Sequence, residues 1–394
     1  MRIAYIAEYQ GKDLIQQRNI KNHLSLAQSL KIRLIAKMLY NGGYEVEIIS
    51  QGVVIENQWK YFKAICESER FHPNIPIFYS SAMDFRFFRG LSANLSTLAI
   101  FKRRHNERPY DLVIIYNLKG PQVKCAKYIL NNLKIPIILE YEDDSFVTIT
   151  GKTSSRRNLF KNKGFHIIKN LSGCFAASPH LLQQIPTEIP KFLLRGIISE
   201  DLIEKAKLKR NAKKNWVLFS GTHDPSKGIE KLVIAWKYLN IEGWELHITG
   251  GGKLTEKIRE MANNDSTIII HGMVSREKLI KLLVAAKICI NPHEVSNTPG
   301  NVFAFKIIEY LASGAHVITT PMGQLEKEIE KGITYISDNQ PITISNTLNS
   351  VISNERFINS SMEYVHRIYR QDAVLKLLIN HINNVKIYNK GKRA

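Results

Sequence analysis

The sequence predicts an α/β fold built from two doubly wound domains, each a parallel sheet with crossover helices on both faces. Three observations predict it. Short apolar runs alternate with amphipathic helical stretches through both halves of the chain. The alternation restarts after a polar, lysine-rich join, EKAKLKRNAKKN, at Glu204–Asn215. At 394 residues the chain also exceeds what one ordinary hydrophobic core supports. The expected division is a first domain over residues 1–200 and a second over 201–365. A helix and basic tail over 366–394 are expected to pack back toward the first domain.

The elements follow in order. Arg2–Ala7 reads as a buried strand, and Ser25–Tyr40 as a helix ended by Gly42-Gly43. Glu45–Ser50 and Leu112–Tyr116 are strands. Pro121–Asn132 is a helix with proline at its first position, followed by the strand Ile135–Glu140. Arg157–Asn170 reads as a helix, Cys174–Ala177 as a strand, and Pro179 opens the next helix. In the second half the strands are Trp216–Ser220, Trp244–Thr249, Thr267–His271 and Ile288–Asn291. The helices between them are Gly228–Tyr238, Thr255–Ala262 and Arg276–Ala286. A loop with Pro292, Pro299 and Gly300 then leads to a helix opening near Asn301, a glycine turn and the strand Ala315–Thr319. Arg356–Asn384 is read as largely helical.

Composition narrows the function classes. The apolar share of 44% is that of a globular protein. Cys66, Cys125, Cys174 and Cys289 are scattered and sit in or beside apolar runs, which predicts buried free thiols in a reducing compartment. The start, MRIAYIAEYQ, has neither a long apolar core nor a cleavage-like site, and no window resembles a membrane span. A cytoplasmic protein is expected. The formal charge of +20 suits nucleic acid, an anionic membrane or phosphorylated substrates, or reflects a basic host composition alone. No zinc-finger or RNA-binding signature accompanies it, so nucleic acid is not an expected partner.

Several segments carry candidate chemistry. Strand Trp216–Ser220 runs into Gly221-Thr222-His223-Asp224-Pro225-Ser226-Lys227-Gly228. A glycine there admits close backbone approach, and Lys227 delivers a cation at a helix start; a plain turn is the alternative. Gly250, Gly251 and Gly252 follow the next strand, and Met273 and Val274 the one after; Met273 also fits an ordinary core position. In the last helix Phe305, Ile308, Leu311 and Ala312 share a face with Glu309 beside them. Its N-terminus, with Asn301 and Val302, would favour phosphate.

In the first half Glu140-Tyr141-Glu142-Asp143-Asp144 ends a strand. Clustered carboxylates raise one another's pKa and suit acid or base work; a solvated loop or a divalent-metal site are the alternatives, the metal least favoured because no DxD spacing or nearby His is present. The loop Glu8–Asn22 is long enough to be functional. Phe85–Arg89, Lys102–Arg104 and Arg156-Arg157 interleave cations and aromatics, which fits anionic lipid or a solvated face.

The run Lys306-Ile307-Ile308-Glu309-Tyr310-Leu311-Ala312-Ser313-Gly314, with its following strand and Thr-Pro-x-Gly turn, resembles the donor-site helix of family 4 glycosyltransferases of GT-B fold. The resemblance implies two Rossmann-like domains facing a cleft, transfer of a sugar with retention, and no required metal or cofactor. It implies a UDP- or GDP-sugar as co-substrate and a glycan or lipid-linked acceptor, in surface polysaccharide synthesis at the cytoplasmic face of a membrane. Glu309 would bind the ribose. The family's first glutamate falls at Asn301, a departure shared by branches that carry a lysine at the Lys306 position. Lys227-Gly228 match the family's diphosphate turn, where Thr222 stands in place of arginine and His223 or Lys306 would restore the charge. Met273 and Val274 fall at the nucleobase, Asp143 at the transferred sugar, and Gly11, Glu142 and Asp144 on the acceptor side. The two departures also fit a catalytically inactive partner subunit. A hydrolase, epimerase or phosphorylase acting on nucleotide sugars is the other reading on this fold.

Overall fold

The computed structural model describes residues 1–20, 26–52, 54, 59–67, 72, 74–85, 88–143, 164–209, 212–239, 241–295, 303–355 and 360–392. It divides into two units: Met1–Arg195 with Asn301–Phe303 and Gln371–Ala394, and Gly196–Gly300 with Ala304–Arg370.

The first unit holds β1 (Arg2–Ile6), β2 (Glu45–Ser50), β3 (Tyr61–Phe62), β4 (Ile65–Glu67), β5 (Ile77–Tyr79), β6 (Ala82–Met83), β7 (Leu112–Tyr116), β8 (Ile137–Tyr141), β9 (Gly173–Ala176) and β10 (Lys191–Leu193). Its main sheet has the order β10-β9-β8-β7-β1-β2-β5-β4, with β3 and β6 paired separately. All pairings in the main sheet are parallel except β4 with β5. Central strands covered on both faces need apolar residues throughout, and every residue of β1, β7 and β8 is buried. The helix Gln371–Gly391 belongs to this unit and buries Val374, Leu378, Ile382 and Val385, a stripe at helical spacing.

The second unit holds β11 (Lys214–Ser220), β12 (Glu245–Thr249), β13 (Ile268–Gly272), β14 (Ala286–Asn291), β15 (His316–Thr319) and β16 (Ile333–Tyr335), in the order β13-β12-β11-β14-β15-β16. Every pairing is parallel. Val217, Phe219, Leu246, Ile248, Ile288 and Ile290 pack in one core with Leu232 and Trp236 of the helix Ile229–Lys237. Full burial of a side chain of Leu232's size contributes ~1.5–3 kcal/mol. The Trp236 indole stays satisfied by donating to Thr267 Oγ1 at 2.9 Å.

Several expectations are corrected. The loop Glu8–Asn22 contains a helix, Lys12–Gln17, whose Leu14 is buried. The segment read as largely helical over Arg356–Asn384 holds two helices, Met362–Tyr369 and Gln371–Gly391, parted at Arg370, whose ψ of 151° is extended. Cys66 is exposed, because it lies on β4 at the sheet edge; Cys125, Cys174 and Cys289 are buried free thiols. Residues 164–169 are helical, and 157–163 of that expected helix lie outside the described residues. Among the described residues no helix is long and apolar enough to cross a membrane.

Candidate functional site

In the second unit the strand order reverses direction between β11 and β14. Ligands of doubly wound sheets bind at such a point, beyond the carboxyl ends of the strands. β11 ends at Ser220 and β14 at Asn291, followed by Pro292 and His293. Two glycines make the close approach possible there. Gly228 has φ of 68°, and a Cβ on it would lie 1.8 Å from the Pro292 carbonyl oxygen. Gly250 has φ of 120°, and its Cβ would lie 1.8 Å from the Gly221 carbonyl oxygen. No side chain fits at either position, so the loops after β11, β12 and β14 meet backbone to backbone.

This packing sets two lysines beside the end of β11. Lys227 ends the short 3-10 turn Pro225–Lys227, with its Nζ 2.9 Å from His293 Nε2. Burial, and then Lys227, push the His293 pKa down to about 4, so the ring is neutral and accepts from the ammonium. Lys306 opens the helix Lys306–Ala312. Its Nζ donates to Ser220 O at 3.2 Å and lies 4.7 Å from the Phe219 ring centroid. Burial, and then Lys227, lower the Lys306 pKa to about 7. Tyr310 braces the same residue, donating to Ser220 O at 3.1 Å and accepting from Ser220 N at 3.0 Å. Two cations that repel each other beside a strand end favour a bound anion, which relieves both the repulsion and the lost solvation.

The first unit carries a buried polar cluster at the end of β8. Glu140 is fully buried and accepts from the Tyr5 hydroxyl. The Lys31 ammonium lies 3.8 Å from Glu140, forms a closer ion pair with Glu142, and donates to Leu194 O at 3.1 Å. Burial dominates and raises the Glu140 pKa to about 8 despite Lys31; Glu142 is also raised, again by burial. Asn117, at φ of 56°, clamps the turn. Its Oδ1 accepts from Glu142 N at 2.7 Å and Asp143 N at 3.1 Å, while its own N–H donates to Glu140 O at 2.8 Å. Glu142 is thus engaged by Lys31, and the Asp143 backbone is held by Asn117.

The Glu140 shift has a measurable consequence. A folded-state pKa near 8, above the unfolded 4.5, gives stability that is present below about 4.5 and is lost as pH rises through 8. Glu140→Gln is expected to remove a slope of up to ~1.4 kcal/mol per pH unit across that window. Urea denaturation from acid to alkaline pH would read it as a variant that gains on the parent as pH rises; parallel profiles would show that Glu140 titrates normally.

Residues 201–371 match the family model described as glycosyl transferases group 1. This segment is a group 1 glycosyl transferase domain. No curated protein matches the chain in sequence. Solved structures share its fold along nearly its whole length. Sucrose-phosphate synthase from Thermosynechococcus elongatus has a TM-score of 0.75 at 16% identity, covering 98% of this chain and 100% of that one. HepE of Anabaena, in complex with UDP-glucose, has a TM-score of 0.64 at 14% identity, covering 97% and 99%. A protein of Listeria monocytogenes provisionally assigned as a UDP-N-acetylglucosamine 2-epimerase has a TM-score of 0.61 at 9% identity, covering 97% and 95%. At these identities the likeness is one of fold, the GT-B arrangement of two Rossmann-like units.

Within the transferase domain the structure gathers Gly221, Lys227, Gly250 and Lys306 around the end of β11. Thr222 beside them is exposed. Met273 is 60% exposed beyond β13, not a core residue, and Val274 is half-buried. Gly251 faces Met273, whose Sδ would be 3.5 Å from a Cβ there. His223 is buried, and desolvation holds its pKa below the ordinary histidine value.

The helix expected to open near Asn301 opens at Lys306, through i to i−3 bonds from Ile307 to Ala304 and Ile308 to Phe305. Glu309 therefore sits in the first turn. It is buried and ion-paired with Arg276 at 2.5 Å. Asn301, Val302 and Asp144 lie outside the described residues. Gly11 caps the helix Lys12–Gln17, its N–H donating to the Tyr79 hydroxyl at 2.9 Å. Sequence reasoning missed Lys31, Asn117, Arg276 and His293, while Glu140 belongs to the carboxylate run that it had singled out. Only Asn117, a turn former directly after a buried strand, left a signal in its neighbourhood.

Of the four described cations in the basic patch of the first unit, three have carboxylate partners. Arg89 pairs with Asp84 at 2.7 Å, Arg104 with Glu47 at 2.9 Å, and Arg103 with Glu107 at 3.8 Å. Lys102 lies 4.1 Å from the Tyr128 ring centroid. Arg86, Phe87, Arg156 and Arg157 lie outside the described residues.

Proposed function

We propose that the chain transfers a sugar, with retention, from a UDP- or GDP-sugar to a hydroxyl of a glycan or lipid-linked acceptor in surface polysaccharide synthesis on the cytoplasmic side of a membrane. The observation that carries this reading is the pair Lys227 and Lys306 beside Ser220 and Gly221, at the switch point of a group 1 glycosyl transferase domain. In it the lysines hold the diphosphate, and Gly221, Gly250 and Gly251 admit it against backbone. Met273 and Val274 meet the base. Glu309 binds the ribose by exchanging Arg276 for ribose hydroxyls, with Asn301 and Val302 on the same side. Asp143 accepts a hydrogen bond from the transferred sugar or the attacking hydroxyl, and Gly11, Glu142 and Asp144 lie toward the acceptor. HepE was solved with UDP-glucose, which makes that compound the first donor to try.

A thermal-shift panel of UDP-, GDP-, ADP- and CMP-sugars tests the reading. A donor at a hundred times its Kd adds ~2.7 kcal/mol of stability, which raises Tm by roughly 5–10 °C for a domain of this size. Absence of a shift with every nucleotide sugar defeats the proposal. The fold shared with the Listeria protein favours one rival, an epimerase. Product analysis separates the two, because an epimerase changes the sugar nucleotide without any acceptor.

A further inference from the structure

At the opposite end of β11 from Ser220 lies a second basic feature. Seven residues of strand put it roughly 20 Å away along the chain. The helices Glu200–Leu208 and Arg276–Ala285 flank a groove of about 440 Å³, rimmed by Lys205, Lys209, Lys214, Lys278 and Lys281. Its apolar lining is Trp216, Leu282, Val284 and Ala285, and Leu208 stands on the rim at 85% exposure.

The charge is one-sided. Asp201 pairs with Lys205 at 2.9 Å and Glu277 with Lys281 at 2.7 Å. Lys209 and Lys278 are exposed and pair with no carboxylate among the described residues. Lys214 lies 4.5 Å from the Trp216 ring centroid. The same ring stacks on His247, with centroids 3.9 Å apart. Among the described lining residues there is no arginine fork. The groove instead offers separate point charges on flexible stems around an apolar floor, with one leucine projecting from the rim. That chemistry suits many phosphates in one plane above hydrocarbon, not a single cradled phosphate.

We infer that this groove docks the transferase domain on an anionic phospholipid surface. The lysines meet headgroup phosphates, and Leu208 enters the interface. The inference is independent of the donor reading, because none of these residues is assigned to donor binding.

Cosedimentation of the full chain tests it, with vesicles of phosphatidylcholine alone and of phosphatidylcholine with phosphatidylglycerol. Binding is expected only on the anionic vesicles, and it should weaken as added salt shortens the screening length from ~10 Å toward ~3 Å. Replacing Lys209, Lys214 and Lys278 by glutamine should lower partitioning by about fivefold per lysine, about a hundredfold together. Leu208→Gln should lower it further, and Lys102→Gln with Arg103→Gln should leave it unchanged. All are surface changes that leave nucleotide-sugar binding intact as the check on folding. Equal binding to neutral vesicles, or a triple variant that partitions like the parent, overturns the inference. So does displacement by millimolar inorganic phosphate, which indicates a discrete anion site. Binding to an RNA homopolymer without binding to vesicles indicates a different polyanion and also overturns it.

Discussion

Lys227→Ala is expected to weaken nucleotide-sugar binding by about 1.5–3 kcal/mol, roughly 10- to 150-fold, the range for a hydrogen bond to a charged group. The pH dependence makes the prediction sharper. Lys306 has a pKa of about 7 in the free protein, lowered by burial and by Lys227. A diphosphate binds the charged form. Affinity should therefore be greatest below that pH and fall, by up to about tenfold per unit, as pH rises past it toward the higher pKa of the complex. Removing Lys227 lifts its repulsion, so the decline in the variant should begin at higher pH than in the parent. Titration calorimetry from about pH 6 to about pH 9 measures both effects. Unchanged affinity and an unchanged pH profile in a folded variant would remove the lysine pair from the donor site. Glu309→Ala should also cost affinity, but it leaves Arg276 unpaired. The double variant Glu309→Ala, Arg276→Ala separates loss of a ribose contact from that stray charge.

Asp143→Asn is expected to reduce turnover by ~10²-fold or more, the usual scale for a positioned acid or base, with little change in stability. Its neighbour should behave in the reverse way. Glu142 forms an ion pair with Lys31 in buried surroundings, so Glu142→Gln strips a partner from an enclosed ammonium. Breaking a buried pair by removing one member costs about 3–5 kcal/mol, and that loss should appear in denaturation before it appears in turnover. Steady-state rates and melting curves on the two variants distinguish the roles. If Asp143→Asn turns over like the parent and Asp144→Asn does not, the sugar-facing carboxylate is Asp144. If neither loses rate, the acidic turn serves only the fold.

The strand-and-helix alternation was legible because each central strand is an apolar run flanked by turn residues. β7 is Leu-Val-Ile-Ile-Tyr throughout, as a strand buried on both faces must be. The strand-glycine-lysine series ending at Lys227-Gly228 was legible for the same local reason, since a glycine after a buried strand marks close backbone approach. The two- and three-residue strands β3 to β6 were not, because so few residues show no period.

What only the tertiary structure decided is the electrostatic state of each site. Lys31 looks in sequence like any lysine on a helix, yet the fold carries it 111 residues along the chain to Glu142. His293 reaches Lys227 across 66 residues, and Arg276 reaches Glu309 from another helix. Sequence alone determined the architecture and the positions of the turns, because propensity and hydrophobic period act over a few residues. Which carboxylate has its pKa raised, which lysine has its pKa lowered and which glutamate is already paired depend on burial and on charges a few ångströms away in space, and those neighbours exist only once the sheets have formed.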